Sequence, residues 1–316
     1  MYSLMISCGY ILDLIFGDPQ WLPHPVRGIG WMIKKLEPVL RKTIKNERVS
    51  GILFAFLVIG IVWAISFIII KLCYFINIYL GTLISILLIY TSLSIKDLKV
   101  ESIRVYDALI KGDIVLARKN LSLIVGRDTE NLNEKEIIRA TVETIAENIV
   151  DAIISPLFYV FIGGPCLAIM YKAINTLDSM VGYKNEVYRD FGFASAKIDD
   201  ISNFIPARLS ALFLPLAVLI AGGNSKNSFR IGWRDGKKNP SPNSGIPEAA
   251  LSGALGVQLG GINFYNSIPI EKPFIGDDIN PLKVTHIKES IKIAYICSFL
   301  FLITGIICFE LWTNSP

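Results

Sequence analysis

Charge is scarce in this sequence: Asp, Glu, Lys and Arg make up 18% of 316 residues, against 52% hydrophobic residues, and the mean hydropathy is +0.50. A soluble domain of this length carries fewer apolar residues, so the excess must face lipid. Only two histidines occur, His24 and His286, which excludes a histidine-rich zinc site. The five cysteines form no CxxC pair and lie in or beside apolar stretches, so they read as reduced, buried thiols and exclude an iron–sulfur cluster. Any metal is therefore oxygen-bound. The net charge of +4 is spread over several loops with no aromatic-interleaved basic stripe, which argues against nucleic acid as a partner. Neither GxxxxGK[ST], a helix-opening GxGxxG, GxSxG nor HExxH is present, so any nucleotide must use an unfamiliar site. The N-terminus has no basic n-region and carries Asp13 inside its apolar run, unlike a cleavable signal peptide. There is no internal repeat.

What is present is a set of apolar blocks. Residues 51–70 carry no charge, enough helix at ~1.5 Å per residue to cross ~30 Å of hydrocarbon. Residues 73–95 are also uncharged, so the two are expected to form a hairpin turning at Lys71, and residues 293–309 form a third span. The basic flanks, Lys34 to Arg48 before and Lys96 to Arg104 after, place both ends of the hairpin in the cytoplasm. Residues 152–171, with Pro156 and a Gly163-Gly164-Pro165 break, and 209–225, with Pro215, are weaker candidates. If both span, the loop between them carries cations on the outside, against the positive-inside expectation, which re-entrant or protein-buried segments would resolve. The expected architecture is an all-α, polytopic membrane protein of the cell membrane with roughly three to five transmembrane helices. It forms one integrated domain over residues 1–316, with cytoplasmic excursions near 96–150 and 226–290.

Polar residues cluster between these blocks. Residues 133–151 predict a helix with an Asn133–Glu136 capping box and a stripe of Arg139, Glu143, Glu147 and Asp151 at i, i+4 spacing. A solvated face with an Arg139–Glu143 pair is the bland reading, but the stripe runs into an apolar stretch, where carboxylates are costly. Asn175 with Asp178, and Asp199 and Asp200 with Asn203, put hard oxygen ligands on helical faces, as Mg²⁺ with phosphates requires. Lys184, Lys197 and Arg208 are nearby cations suited to phosphate. At the N-terminus, Asp18, His24 and Arg27 offer an acid, an imidazole and a cation around Gly/Pro turns. The segment 232–261 combines a basic loop, Asn243 and a small-residue helix; close backbone packing and approach of a phosphate or large planar ligand are both open.

In order along the chain, DLIFGDPQWLPHPVRGIG, IVGRDTENL, VETIAENIVDAIISPLF, YKAINTLDSMVGYKNEVYRDFG, AKIDDISNFIPARLS, SPNSGIPEAALSGALGVQLGG and KPFIGDD resemble the CobD/CbiB family of cobalamin-biosynthesis proteins. The resemblance covers Asp13 to about Asp278 and its motifs are long and of rare composition. It implies an ATP-dependent amide ligase of adenosylcobinamide-phosphate synthase type. Such an enzyme joins aminopropanol or its O-phosphate to the free propionate of adenosylcobyric acid, with ATP and Mg²⁺ as cofactors. Within that scheme Glu143, Glu147, Asp151, Asp178, Asp199 and Asp200 are expected to bind Mg²⁺, with Glu143, Glu147 and Asp199 closest to the chemistry. Lys184, Lys197 and Arg208 would hold phosphates, with Arg27 also on the ligand. Asn148, Asn175 and Asn203 would orient substrate or metal-bound water, and His24 with Asp18 would serve as acid/base. Asn243 and the Gly253–Gly261 region would meet the corrinoid or nucleotide. Expected partners are these substrates, the bilayer and other corrinoid-pathway membrane enzymes. A membrane corrinoid-binding or transport protein without ligase activity is the alternative; against transport, there is no inverted repeat and the polar residues sit mainly outside the spans, and a non-catalytic membrane sensor has no need of the full carboxylate, lysine and asparagine set. A prenyltransferase would need more spans.

Overall fold

The computed structural model describes residues 2–19, 21, 23–183 and 185–314. Along the chain run α1 (Tyr2–Phe16), α2 (Pro25–Thr43), α3 (Glu47–Ile76), α4 (Ile78–Tyr90), α5 (Ile95–Ile110), α6 (Ile114–Leu121) and α7 (Glu134–Asn148). A π-helical turn, Ile149–Ile154, leads into α8 (Ser155–Val181), followed by α9 (Phe193–Ser202), α10 (Phe204–Ala221), α11 (Ser225–Asp235) and α12 (Gly245–Leu255). The antiparallel hairpin β1 (Leu259–Tyr265) and β2 (Ile268–Ile275) precedes α13 (Thr285–Thr313). The helical expectation therefore holds, with this hairpin as the addition.

Among the described residues five helices are long and apolar enough to cross a membrane: Glu47–Ile76, Ile78–Ile110, Glu134–Val181, Phe204–Ala221 and Thr285–Thr313. This marks a membrane protein; blocks 51–70, 152–171 and 293–309 each fall within one of them, block 73–95 begins at the end of Glu47–Ile76 and continues in Ile78–Ile110, and block 209–225 runs past the end of Phe204–Ala221. Half of the apolar window in Glu134–Val181 is buried inside the protein, against 28% in Glu47–Ile76, so this segment packs on protein more than the first span does. Its Gly163 and Gly164 leave helical geometry, Gly164 at φ +74°, and Pro165 has no N–H to continue the ladder, which kinks the segment as expected. The hairpin turn differs from expectation. Helix α3 continues past Lys71, because one lysine with a long apolar stem does not break a helix. The break falls at Asn77, where an extended backbone and a side chain accepting the Tyr79 N–H at 2.7 Å start α4.

The chain divides into two compact units, Met1–Ser94 with Ser155–Asn203 and Thr304–Pro316, and Ile95–Ile154 with Phe204–Ile303. In the first, Ile33, Phe54, Val58, Ala173, Leu177 and Phe191 share a core. Gly51 lets α3 press directly on the backbone carbonyl of Phe191, where a Cβ has no room. In the second, Ile231, Ala249 and Ile275 form an apolar centre between α11, α12 and β2, and Ser228 donates across to the Ala250 carbonyl at 2.8 Å.

Gly51→Ala is expected to lower the thermal unfolding midpoint in detergent by several degrees. Gly60→Ala, on the same helix with open space around its Cα, is expected to leave it unchanged or raise it slightly through helix propensity. Equal midpoints for the two variants would contradict this account of the Gly51 contact.

Candidate functional site

The capping box at Asn133–Glu136 forms as predicted, with both reciprocal bonds at 2.8 and 3.0 Å, and it sets the register that carries Glu143 inward. Glu143 is buried, not on a solvated face. Its Oε2 accepts from Arg127 at 2.6 Å and its Oε1 from the Gly260 N–H at 2.9 Å. The expected partner, Arg139, stands 3.9 Å away and instead donates to the hairpin: to the Gly260 carbonyl, to Ile262 O at 3.0 Å and to Asn263 Oδ1 at 2.9 Å. Asn263 Oδ1 also accepts from Arg127 at 2.7 Å. Two guanidinium groups thus clamp one buried carboxylate and one strand. Asp128 holds the far end, its carboxylate accepting the N–H groups of Asn266 and Ser267, the two non-glycine residues with positive φ among the described residues.

The inner side of the hairpin brings Lys272 toward Glu248. Burial pushes the Glu248 carboxyl up to about 8, with the like charges of Glu143 and Glu147 adding to this, while Lys272 and a 3.1 Å hydrogen bond from Asn239 oppose it. Burial alone would lower the Lys272 ammonium, but Glu248, Glu143 and Glu147 more than offset it and raise its pKa. Glu147 is exposed and Asn148 bonds back to the Thr144 carbonyl at 2.9 Å. Asp151 lies in the π-helical turn, where the i, i+4 rule no longer aligns it with Glu147. The glycines expected to admit a ligand serve the protein itself: a Cβ on Gly253 would meet Asn227 O, and one on Gly260 would meet Pro273 O.

In the other unit, Asp18, His24, Val26, Arg27, Ser94 and Lys172 line an open cavity of about 580 Å³. The Nδ1 of His24 accepts the Val26 N–H at 3.3 Å and caps α2, so its proton sits on Nε2, 3.0 Å from Asp18. His24 is thus an oriented cap as well as an acid/base candidate. Arg27 donates to the Pro19 carbonyl at 3.2 Å. Lys172 is buried, with Nζ 3.3 Å from Ser94 Oγ; the sequence motif contained it without marking it.

The DDxxN motif is a hydrogen-bonded hub. Buried Asn203 accepts on Oδ1 from Ser155 at 2.6 Å and Tyr171 at 2.8 Å, and donates to Asp199 at 3.0 Å, which secures α9 to α8. Lys197 pairs with Asp200 on the exposed side at 2.9 Å. Asn175 and Asp178 lie half-buried near the end of α8, and Lys184 lies outside the described residues. In the second unit Arg208 stacks over Phe204 and donates to buried Asn243 at 2.8 Å. No three histidine, cysteine or carboxylate side chains among the described residues converge to hold a metal ion. The six expected ligands therefore do not form a single shell. An Mg²⁺ ion that keeps its waters and binds mainly through phosphates needs only one or two carboxylates, and that mode alone fits these residues.

A family model described as CobD/Cbib protein matches residues 6–294. The chain belongs to the CobD/CbiB family. Cobalamin biosynthesis protein CobD of Geobacter metallireducens is 50% identical over 291 residues, 92% of each chain. The proteins of the same description from Clostridium perfringens and Leptospira interrogans are 48% and 47% identical over 305 residues, 96% of this chain and 97% of theirs. No solved structure matches. This CobD/CbiB member has its role in cobalamin biosynthesis. Arg127, Glu248 and Lys272, inside the family motifs, and Asn263, just beyond one, were not singled out as site residues by sequence reasoning; their signal is a partner distant in sequence, invisible to local spacing.

Arg127→Met strands Glu143 and is expected to cost about 3–5 kcal/mol of stability, read as a fall in the chemical or thermal unfolding midpoint. For Glu248 the folded pKa lies above the ordinary carboxylate value, so the native state holds an extra proton between about pH 4.5 and 8. Its contribution is complete below that window and is lost as pH rises through it. The midpoint of the parent protein is expected to fall from pH 5 to pH 8.5, and Glu248→Gln to flatten that slope; parallel slopes would refute the burial of a protonated Glu248.

Proposed function

We propose that this protein is an ATP-dependent amide ligase that joins the amine of aminopropanol, or of its O-phosphate, to the free propionate of adenosylcobyric acid. A carboxylate is a poor electrophile. Transfer of the γ-phosphoryl of ATP to a propionate oxygen gives an acyl phosphate and ADP; attack by the neutral amine then forms the C–N bond, releases inorganic phosphate and leaves a proton for a base. The chemistry calls for cations over phosphates and a base near the amine. Lys172 is the observation that carries the reading. A buried ammonium in the long apolar segment Glu134–Val181 is costly and marks a functional site, and it borders a cavity of ligand size together with Arg27, His24 and Asp18. Lys172 and Arg27 would hold phosphate oxygens, and the Asp18–His24 pair would take up the ammonium proton on the Asp18 carboxylate, which lies beside the His24 Nε2. Mg²⁺, when bound, neutralises phosphate charge, and Asp199 and Asp200 would hold it. The arginine-clamped Glu143 keeps α7 and the hairpin in place.

Purified protein in detergent, given adenosylcobyric acid, ATP, Mg²⁺ and either amine, is expected to yield a corrinoid whose mass gain equals one amide, with ADP formed in step. No change in corrinoid or ATP with folded protein would leave binding or transport of a corrinoid as the function. Lys172→Met is expected to raise KM for the phosphate-bearing substrate about 10- to 100-fold, the value of one charge-assisted hydrogen bond. A rise for ATP or for aminopropanol phosphate identifies which phosphate the cavity takes, and unchanged kinetics would exclude the cavity.

A further inference from the structure

A second cavity, of about 350 Å³ and unrelated to the proposed ligase site, lies in the second unit between Lys99 and Ile103 of α5 and Lys288, Ile291, Lys292 and Tyr295 of α13. Spacings of i, i+4 on α5 and i, i+3, i+4, i+7 on α13 put each set on one helical face. The lysines are braced crosswise: Lys99 Nζ lies 5.5 Å from the Tyr295 ring centroid and Lys288 Nζ 4.0 Å from that of Tyr106. Lys292 Nζ donates at 3.1 Å to the carbonyl of Ala221, the last residue of α10. Lys99 follows the uncharged block 73–95, Lys288 and Lys292 precede the uncharged block 293–309, and Ala221 ends the apolar helix Phe204–Ala221. All three lysines are exposed, and among the described residues none lies within 4.0 Å of a carboxylate.

We propose that this cavity binds the headgroup of an anionic glycerophospholipid, its phosphate held by Lys99, Lys288 and Lys292 and an acyl chain laid along Ile103 and Ile291. Three unneutralised ammonium groups above an apolar wall, at the edge of the hydrocarbon, complement a molecule that is anionic at one end and apolar at the other. Free phosphate would leave the apolar wall unused, and a zwitterionic lipid brings a cation that the lysines repel.

The test is native mass spectrometry of the full chain in detergent, titrated with dioleoylphosphatidylglycerol, dioleoylphosphatidylcholine or inorganic phosphate. Phosphatidylglycerol is expected to bind at least tenfold more tightly than phosphatidylcholine, and the triple variant K99Q/K288Q/K292Q to lose that preference, at about fivefold per lysine. Unfolding midpoints in phosphatidylcholine alone show whether the triple variant is folded; if it is not, K99Q and K288Q singly are each expected to show a partial loss. A parent protein without headgroup preference, folded variants that keep it, or displacement of bound phosphatidylglycerol by equimolar inorganic phosphate would each overturn the proposal.

Discussion

A carboxylate withdrawn from water dictates what can surround it, and in this protein that carboxylate is Glu143. Desolvation of an isolated anion costs several kcal/mol, so both oxygens must be satisfied, one by Arg127 and the other by the Gly260 N–H. Those two partners come from opposite sides of α7 in sequence, one from the loop before it and one from the first strand of the hairpin. Arg139 and Asn263 close the arrangement, and with the hairpin fixed, Lys272 is delivered to Glu248. Charge compensation, more than apolar packing, thus positions the hairpin: its outer side leaves Ile262, Phe264 and Phe274 exposed.

The same physics acts in the apolar segments in a different form. A backbone in lipid must satisfy its own hydrogen bonds, which is why the long blocks are helical; at the Gly163–Gly164 break, Gly164 and Pro165 are buried while Gly163 is exposed. Lys172 is tolerated in such a segment where Ser94 and a cavity lined by polar side chains meet its ammonium. A family role in cobalamin biosynthesis and a buried cation at a cavity of ligand size support one reading between them, the activation of a carboxylate by ATP.

The spans were legible because twenty uncharged residues leave few alternatives, and the capping box because its partners are three residues apart. Glu143 stood out by position, but its partners did not: a helical stripe reports which residues share a face and is silent on what covers that face. Arg127 and Asn263 meet across 136 residues, and nothing local foretells such a pair. Asn203 looked like a metal-site residue and is a hub joining Ser155, Tyr171 and Asp199, since an amide suits both tasks. His24 likewise doubles as the cap of α2. The π-helical turn defeated the placement of Asp151, because one inserted residue cancels a spacing rule that holds only in an α-helix.

The most direct measurement follows oxygen. With adenosylcobyric acid carrying ¹⁸O in both oxygens of its free propionate, turnover with ATP and amine is predicted to leave one label in the product amide and one in inorganic phosphate. Phosphate released without label, alongside amide formation, would contradict an acyl phosphate and with it the chemistry proposed for this protein.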